Sequence, residues 1–346
     1  MAFFKKFFKD VVPDKKPKDD TVTVKEKPKP KYYGTVTPYP NFNASSDASV
    51  LQSAIKSKGV DEDVIIAVLV KRNNEQRQKI KAVYEASTGK RLDNDLKQAL
   101  RSDLEDVSLA LLMTPAQFNA YLLRKATKRL GTDEGALTEI LATRSNQEIQ
   151  EIKRVFKEEY KTELEDVIKS ETSGDFTKAL LSMLQAKKDE STEVDLELAR
   201  KDAKVLFEAG ENTKGVDVNT FINILTTRSD LQLSKTFQEY ARVSDITLPK
   251  ALIMELKGDI EDCLIDIVKC AWNKPAFFAE KLHLAMKGPG TREHVLNRVL
   301  VSRSEIDLQK IVVEYRAMYG RSLQDDIKNE TKGHYLQVLL GLCGPY

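Results

Sequence analysis

Residues 146–160 read NQEIQEIKRVFKEEY, with Ile149, Ile152, Val155 and Phe156 recurring at steps of three or four residues. That spacing puts all four on one stripe of an amphipathic helix. Leu137, Ile140 and Leu141 repeat the spacing just upstream. Thr132 is expected to be the N-cap of a helix that ends near Arg144, and Asp133 and Glu134 suit that helix's positive end. LEDVIKSET predicts a third helix, Gly174 breaks the chain, and DFTKALLSML predicts a fourth. Pro115 and Pro275 are expected to begin helices, where the missing N–H costs nothing. No stretch reads as a credible strand, so the expectation is all-α, with five helices in each of four units and a flexible N-terminal arm.

The units follow from a repeat. Gly59, Gly131, Gly215 and Gly290 lie in KGVDE, LGTDE, KGVDV and PGTRE. Thirteen residues on come Arg72, Arg144, Arg228 and Arg303. Forty residues on, the last three units carry Glu171, Glu255 and Glu330, and the first carries Ala99. Forty-three residues on come Ser102, Gly174, Gly258 and Gly333. A period of this length specifies an architecture of stacked units. The expected boundaries are 1–44 for an N-terminal arm, 45–114 and 115–186 for the first two repeats, 187–198 for a linker, and 199–273 and 274–346 for the last two. The polar stretch QAKKDESTEVDLE at 185–197 predicts a division into two halves, units one and two against three and four.

Composition narrows the function classes. The chain has 346 residues, 41% hydrophobic and 31% charged, with a net charge of +2. Residues 1–40 hold ten lysines against five acids, so the remainder is slightly acidic and offers no basic stripe for nucleic acid. The segment MAFFKKFFKD lacks a continuous apolar region, and no secretory signal is expected. Runs such as VIIAVLV at 64–70 are too short to span a bilayer. Three cysteines, Cys263, Cys270 and Cys343, form no paired framework, which fits reduced thiols in the cytosol. Pro13–Pro40 is rich in Lys, Pro and Asp and reads as a flexible linker. Ahead of it, Phe3, Phe4, Phe7, Phe8 and Val11 fall on one helical face and Lys5, Lys6 and Lys9 toward the other. A helix this short orders only when its apolar face is covered, by a partner or by a membrane.

The recurring loop and distant acid carry the chemistry. A glycine between helices permits positive φ and lets carbonyls point outward. Converging carbonyls plus one carboxylate give about five oxygens, whereas calcium takes about 6–8. The cage is incomplete and the ion keeps net positive charge, and a phosphate oxygen of an anionic lipid supplies both deficits. There is no D-x-D-x-D-G loop of the EF-hand type.

MKGPGTRE at 286–293 with NETKGH at 329–334, KRLGTDE at 128–134 with SETSGD at 170–175, and KGVDV at 214–218 with MELKGD at 254–259 resemble the annexins. The resemblance covers residues 45–346. It implies a slightly curved, all-helical disc of four five-helix repeats, with Ca2+ as the bound ion and membranes rich in acidic phospholipids as the partner. The matching positions in repeat four are the carbonyls of Met286, Gly288 and Gly290 with the carboxylate of Glu330. Repeat three offers Gly210, Thr213, Gly215 and Glu255. Repeat two offers Thr127, Arg129, Gly131 and Glu171, with Arg129 where the family has glycine, which predicts a weaker or rearranged site. Repeat one is expected to use Gly59, Val60 and Glu62, with a minor site at Lys97, Leu100 and Glu105. The resemblance also implies phospholipase inhibition, membrane trafficking and anti-inflammatory signalling, with actin or phospholipase as partners. It leaves open an EF-hand dimer or a second membrane at residues 2–12. It implies a cytoplasmic protein, peripheral to plasma and vesicle membranes in calcium, and leaves open a nuclear pool or unconventional export.

The repeated arginines are expected in structural salt bridges, with a charged pore as the alternative. Met286 is expected to put its side chain toward lipid. His283, His294 and His334 have no metal-ligand spacing, and no nucleophile–base pair suggests an enzyme. The rival reading is a calcium-independent helical scaffold for protein partners.

Overall fold

The computed structural model of the chain describes residues 31–128 and 130–345. The arm segment 2–12 and Arg129 lie outside the described residues. Every regular element among those described is a helix. Repeat one holds α1 (Ala44–Lys56), α2 (Glu62–Val70), α3 (Asn74–Thr88), α4 (Leu92–Ala99) and α5 (Ser102–Leu112). Repeat two holds α6 (Pro115–Lys128), α7 (Glu134–Thr143), α8 (Asn146–Tyr160), α9 (Leu164–Glu171) and α10 (Gly174–Leu184). Repeat three holds α11 (Leu196–Ala209), α12 (Val218–Thr227), α13 (Asp230–Val243), α14 (Leu248–Glu255) and the first part of α15 (Asp259–Met286). The rest of α15, with α16 (Glu293–Arg303), α17 (Leu308–Tyr319), α18 (Leu323–Glu330) and α19 (Gly333–Cys343), forms repeat four. Asn273, at φ −157° and ψ 93°, breaks α15 into two helices, which restores five per repeat. Its side chain caps the second, accepting from Ala276 N–H at 3.1 Å, with Pro275 in the first turn.

Local sequence signals place the elements. Capping boxes at Asn73–Gln76 and Ser145–Glu148 start α3 and α8. Ile149, Ile152, Val155 and Phe156 are all buried, as the stripe requires. Asp133, not Thr132, caps α7, its carboxylate accepting from Ala136 N–H at 3.0 Å. The aspartate two residues after the loop glycine does the same in repeats one and three, as Asp61 and Asp217. An anionic cap is favoured over threonine by the helix dipole.

One core position is aromatic in every repeat: Tyr84, Phe156, Tyr240 and Tyr315, each at most 1% exposed. A tyrosine there must find a partner for its hydroxyl. Tyr84 donates to Asp95 at 2.6 Å, and Tyr315 donates to Asp326, eleven residues on in both cases. Repeat two dispenses with both groups, having Phe156 and Val167 at the two equivalent positions. Repeat three has Tyr240 but Ala251 in the aspartate's place, and Tyr240 donates instead to Glu211.

The arginine expectation holds. Arg72 bridges Asp47 at 2.7 and 2.8 Å with both groups buried, Arg144 donates twice to Asn119, and Arg228 bridges Asp202 at 2.8 Å. Each ties the second helix of a repeat to its first. In repeat four the corresponding position is Phe278, so the Arg303 guanidinium lies over that ring at 4.6 Å and turns its N–H groups to Asp307.

The chain forms two compact units, residues 31–118 with 278–345, and residues 119–277. Repeat one therefore pairs with repeat four, and repeat two with three, which corrects the division expected at 185–197. In the first unit α19 packs on α2 and α5, and α16 also packs on α5. In the second, the polar stretch is stitched down on both sides. Asn146 donates to Lys188 C=O at 2.7 Å, Asp189 N–H donates to Thr227 C=O at 2.7 Å, and Lys188 bridges Asp230 at 2.7 Å. Residues 33–36, expected within a flexible linker, are likewise docked on repeat four. Thr35 and Val36 N–H donate to Ser304 C=O, Gln309 N–H donates to Tyr33 C=O, and Val36 is buried.

Candidate metal-binding loops

In each repeat the loop between the first two helices is closed by one backbone hydrogen bond, from the second residue past the loop glycine back to an alanine. Asp61 N–H donates to Ala54 C=O, Asp133 to Ala126, Asp217 to Ala209 and Arg292 to Ala285, all at 2.9–3.0 Å. Gly59, Gly131, Gly215 and Gly290 have φ of 74–92°, and a Cβ at any of them would meet nothing within 4 Å. Glycine is there for the left-handed backbone of an exposed loop, not for a close approach. The loop of repeat three is one residue longer than the others, Asp217 standing eight positions after Ala209 where the other pairs are seven positions apart. The extra length falls at 210–213, and Gly210 is glycine for another reason: an added Cβ would lie 3.0 Å from the Phe221 ring.

The forty-residue offset is a spatial proximity in two repeats. Thr132 donates through Oγ1 to Glu171 C=O at 3.1 Å. Thr291 donates to Glu330 C=O at 3.3 Å and lies 3.2 Å from its Oε2. These hydroxyls follow the loop glycine directly, so each pins its loop against the distal acid. Gly288 and Gly290, both with positive φ, thus stand beside Glu330. Repeats one and three have Val60 and Val216 at the threonine position and cannot form this link. In repeat three Tyr240 takes over. Its hydroxyl holds Glu211 of the loop, which also accepts from Ser244 Oγ at 2.7 Å. Burial, then the hydrogen bond to Glu211 and its charge, with a contribution from Glu255, push the Tyr240 phenol well above its ordinary range.

Repeat one is arranged differently. Glu62, Ala99, Leu100, Ser102 and His334 line an open cavity of about 300 Å³, which brings together Glu62 and Leu100 but not Gly59, Val60, Lys97 or Glu105. Gly59 C=O accepts from Ser57 Oγ at 3.2 Å, and Leu100 C=O accepts from the Arg101 guanidinium at 2.9 Å. A cation at Leu100 would displace that guanidinium. Ser102 adopts φ 56° where the other repeats have glycine.

Thr127 is buried and its hydroxyl donates to Leu123 C=O at 2.9 Å, so only its backbone faces the loop. Met286 is 6% exposed: its side chain packs in the core, which corrects the expectation that it faces lipid. Glu171, Glu255 and Glu330 are exposed. Among the described residues no three His, Cys, Asp or Glu side chains converge. Carboxylate and backbone oxygens, without a cluster of His or Cys, make a donor set that fits a hard cation better than zinc or another soft metal. The threonine link and the Tyr240–Glu211 contact were missed from sequence. The signals were there in the Thr/Val alternation after the glycine and in Ala251 replacing the aspartate.

A model of the annexin family matches residues 46–111, 118–183, 201–267 and 277–342, one segment for each repeat. The chain belongs to the annexin family. It is 57% identical over 309 residues to Annexin A1 of Homo sapiens and to Annexin A1 of Cavia cutleri, covering 89% of each partner and 89% of this chain. Among solved structures, annexin III superimposes with a TM-score of 0.90 at 46% identity, covering 91% of this chain and 98% of that one. A chicken annexin V in complex with Zn2+ gives 0.85 at 44% identity, covering 91% and 99%. A calcium-bound annexin (Sm)1 gives 0.82 at 32% identity, covering 91% and 93%. Annexins bind calcium and membranes containing acidic phospholipids. Within this chain the third loop is one residue longer than the other three, and Ala99 stands at the repeat-one acid position.

Proposed function

We propose that this annexin is a calcium-operated peripheral membrane protein whose exposed loops bridge bound calcium to anionic phospholipid headgroups. The observation that carries the reading is the threonine link, which holds Glu171 and Glu330 beside glycine loops forty residues away. The Met286, Gly288 and Gly290 carbonyls with Glu330 are proposed as the most complete ligand set. Gly210, Thr213, Gly215 and Glu255 serve repeat three, and Thr127, Arg129, Gly131 and Glu171 serve repeat two. Gly59, Val60 and Glu62, with Lys97, Leu100 and Glu105, serve repeat one. Calcium bound there supplies the positive charge that a single carboxylate leaves uncompensated, and lipid phosphate completes its shell. No helix among the described residues is long and apolar enough to cross a membrane, in keeping with a peripheral mode. The reading involves no catalysis. Bridging of two membranes, or docking of an acidic EF-hand dimer, is proposed for residues 2–12. Inhibition of phospholipase follows as masking of the lipid surface.

The test is sedimentation with phosphatidylserine vesicles, with and without millimolar calcium, for the native chain and the Glu171→Gln/Glu255→Gln/Glu330→Gln variant. Binding that requires calcium and weakens in the variant is expected. Equal binding with and without calcium would favour the scaffold reading.

A further inference from the structure

The residues preceding the distal glutamate separate repeat three from the others. The helix that delivers this acid ends in Lys97 in repeat one, Lys169 in repeat two and Lys328 in repeat four. Each lysine lies two residues before the acid position, where a cation suits the negative end of the helix dipole. In α14 that residue is Ile253, and the helix has no basic residue in its last turn. The following residue is Gln98, Ser170 or Asn329 in the other repeats and Met254 here. Ile253 is 48% and Met254 62% exposed, while the core of the same helix is made by Leu248, Ala251 and Leu252. Neither exposed side chain is needed to pack α14, and both replace polar groups that water and the helix end would favour. Two adjacent exposed apolar side chains thus stand where three sister helices are polar.

We propose that Ile253 and Met254 form an apolar wedge that enters the headgroup–acyl boundary of an anionic bilayer beside the third ion loop. This rests on the membrane-binding reading above. The lipid occupant follows from continuity with that site: Met254 precedes Glu255 directly, so an ion bridging Glu255 to lipid phosphate brings the pair to the depth of the headgroups. The Gly loops show the complementary pattern. The loop position before the glycine is Lys58 in repeat one, Lys214 in repeat three and Pro289 in repeat four, but in repeat two it is Leu130, fully exposed. Repeat two therefore presents its apolar residue from the glycine loop with Lys169 on the distal side. Repeat three presents Lys214 from the loop and its apolar pair from the distal side. Each combines one cation for phosphate with one apolar contact for the interface, a pairing suited to interfacial binding.

The experiment places an environment-sensitive fluorophore at Met254→Cys, with Asn329→Cys in repeat four as the matched control. Cys263, Cys270 and Cys343 are at most 3% exposed, so the introduced thiol is the one labelled. With phosphatidylserine vesicles and calcium, the probe at 254 is expected to shift further to the blue than the probe at 329 and to be more strongly quenched by lipids spin-labelled at the top of the acyl chain. The Ile253→Ser/Met254→Ser variant is expected to bind these vesicles about tenfold more weakly at fixed calcium with an unchanged unfolding midpoint, a tenfold change being about 1.4 kcal/mol. A probe at 254 that stays in water while calcium-dependent sedimentation persists overturns the wedge and leaves the membrane reading standing. Sedimentation that fails altogether overturns both. A blue shift without vesicles that grows with protein concentration assigns the pair to self-association and likewise overturns the wedge.

Discussion

Thr291→Val isolates the contribution of the link between loop and acid. Valine is close to isosteric with threonine and is native at the matching positions Val60 and Val216, so the loop tolerates its shape. The substitution removes a hydrogen bond to Glu330 C=O at 3.3 Å and a second contact to its Oε2 at 3.2 Å. Both are long for O–H···O bonds and lie at the surface, which puts their net worth at the low end of the usual range, about 0.5 kcal/mol. Freeing the Glu330 side chain adds an entropic cost to ion binding. Ordering a glutamate costs up to ~2 kcal/mol, and a partly restrained one about a quarter of that. The total of about 1 kcal/mol corresponds to roughly a fivefold higher calcium requirement at the fourth site. The assay is a calcium titration of phosphatidylserine vesicle binding in a Glu171→Gln/Glu255→Gln background, so that the fourth site dominates the signal. Thr291→Ser, which keeps the hydroxyl, is expected to stay within twofold of its parent. An unchanged or lowered calcium requirement in Thr291→Val would refute the reasoning, because the hydroxyl would then compete with the ion for the carboxylate.

Three further outcomes follow from the packing. Asp47→Ala should cost about 3 kcal/mol by leaving the buried Arg72 guanidinium unpaired, and Asp47→Asn only about 1, since Asn119 serves Arg144 in the same role; equal urea midpoints for the two variants would contradict this. Ser102→Gly should stabilise by about 0.5–1 kcal/mol, the cost of a left-handed serine less the entropy of glycine, and a lower midpoint would show that the serine side chain makes a compensating contact. Burial alone would raise the Asp230 carboxyl, but the Lys188 and Lys274 ammonium groups outweigh it and hold it below the usual carboxylate range. Its folded pKa is thus below its unfolded one, so its stabilisation is present above about pH 4 and is lost as pH falls through the folded value. Lys274→Met should move the acid limb of a stability–pH profile upward, and superimposable limbs would exclude the mechanism.

Much of this architecture was legible because a repeat reports each feature four times. The arginine thirteen residues past each glycine was readable as a structural group, and Asp47, Asn119 and Asp202 are its partners in three repeats. Residue 278 shows the limit: a phenylalanine there redirects Arg303 to a neighbour in its own turn. The pairing of repeat one with repeat four could not be read from local patterns, because it depends on which apolar faces of α2, α5 and α19 meet across more than two hundred residues. Linker composition misled for the same reason. Lys188 and Asp189 are polar, as in a hinge, yet they are held by backbone and side-chain bonds that composition does not encode. At the loops the recurring glycine and distal acid were readable, but the hydroxyls that join them were not. Thr132 looked like a cap and is a crosslink, because Asp133 is the better cap.

The third loop's extra residue has a consequence for how the whole chain would respond to its signal. Four identical detectors would share one threshold. Here one loop is lengthened and latched through Tyr240, two are stapled by threonine, and one relies on a local acid beside an occupied carbonyl. Under the proposed ion binding, such unlike detectors would fill in sequence as the ion rises, so in solution the chain would act as a graded dial. Sharpness would then arise at the lipid surface, where the first loop to engage raises the local concentration for the next, and the composition of the membrane rather than the protein would set the steepness of the switch.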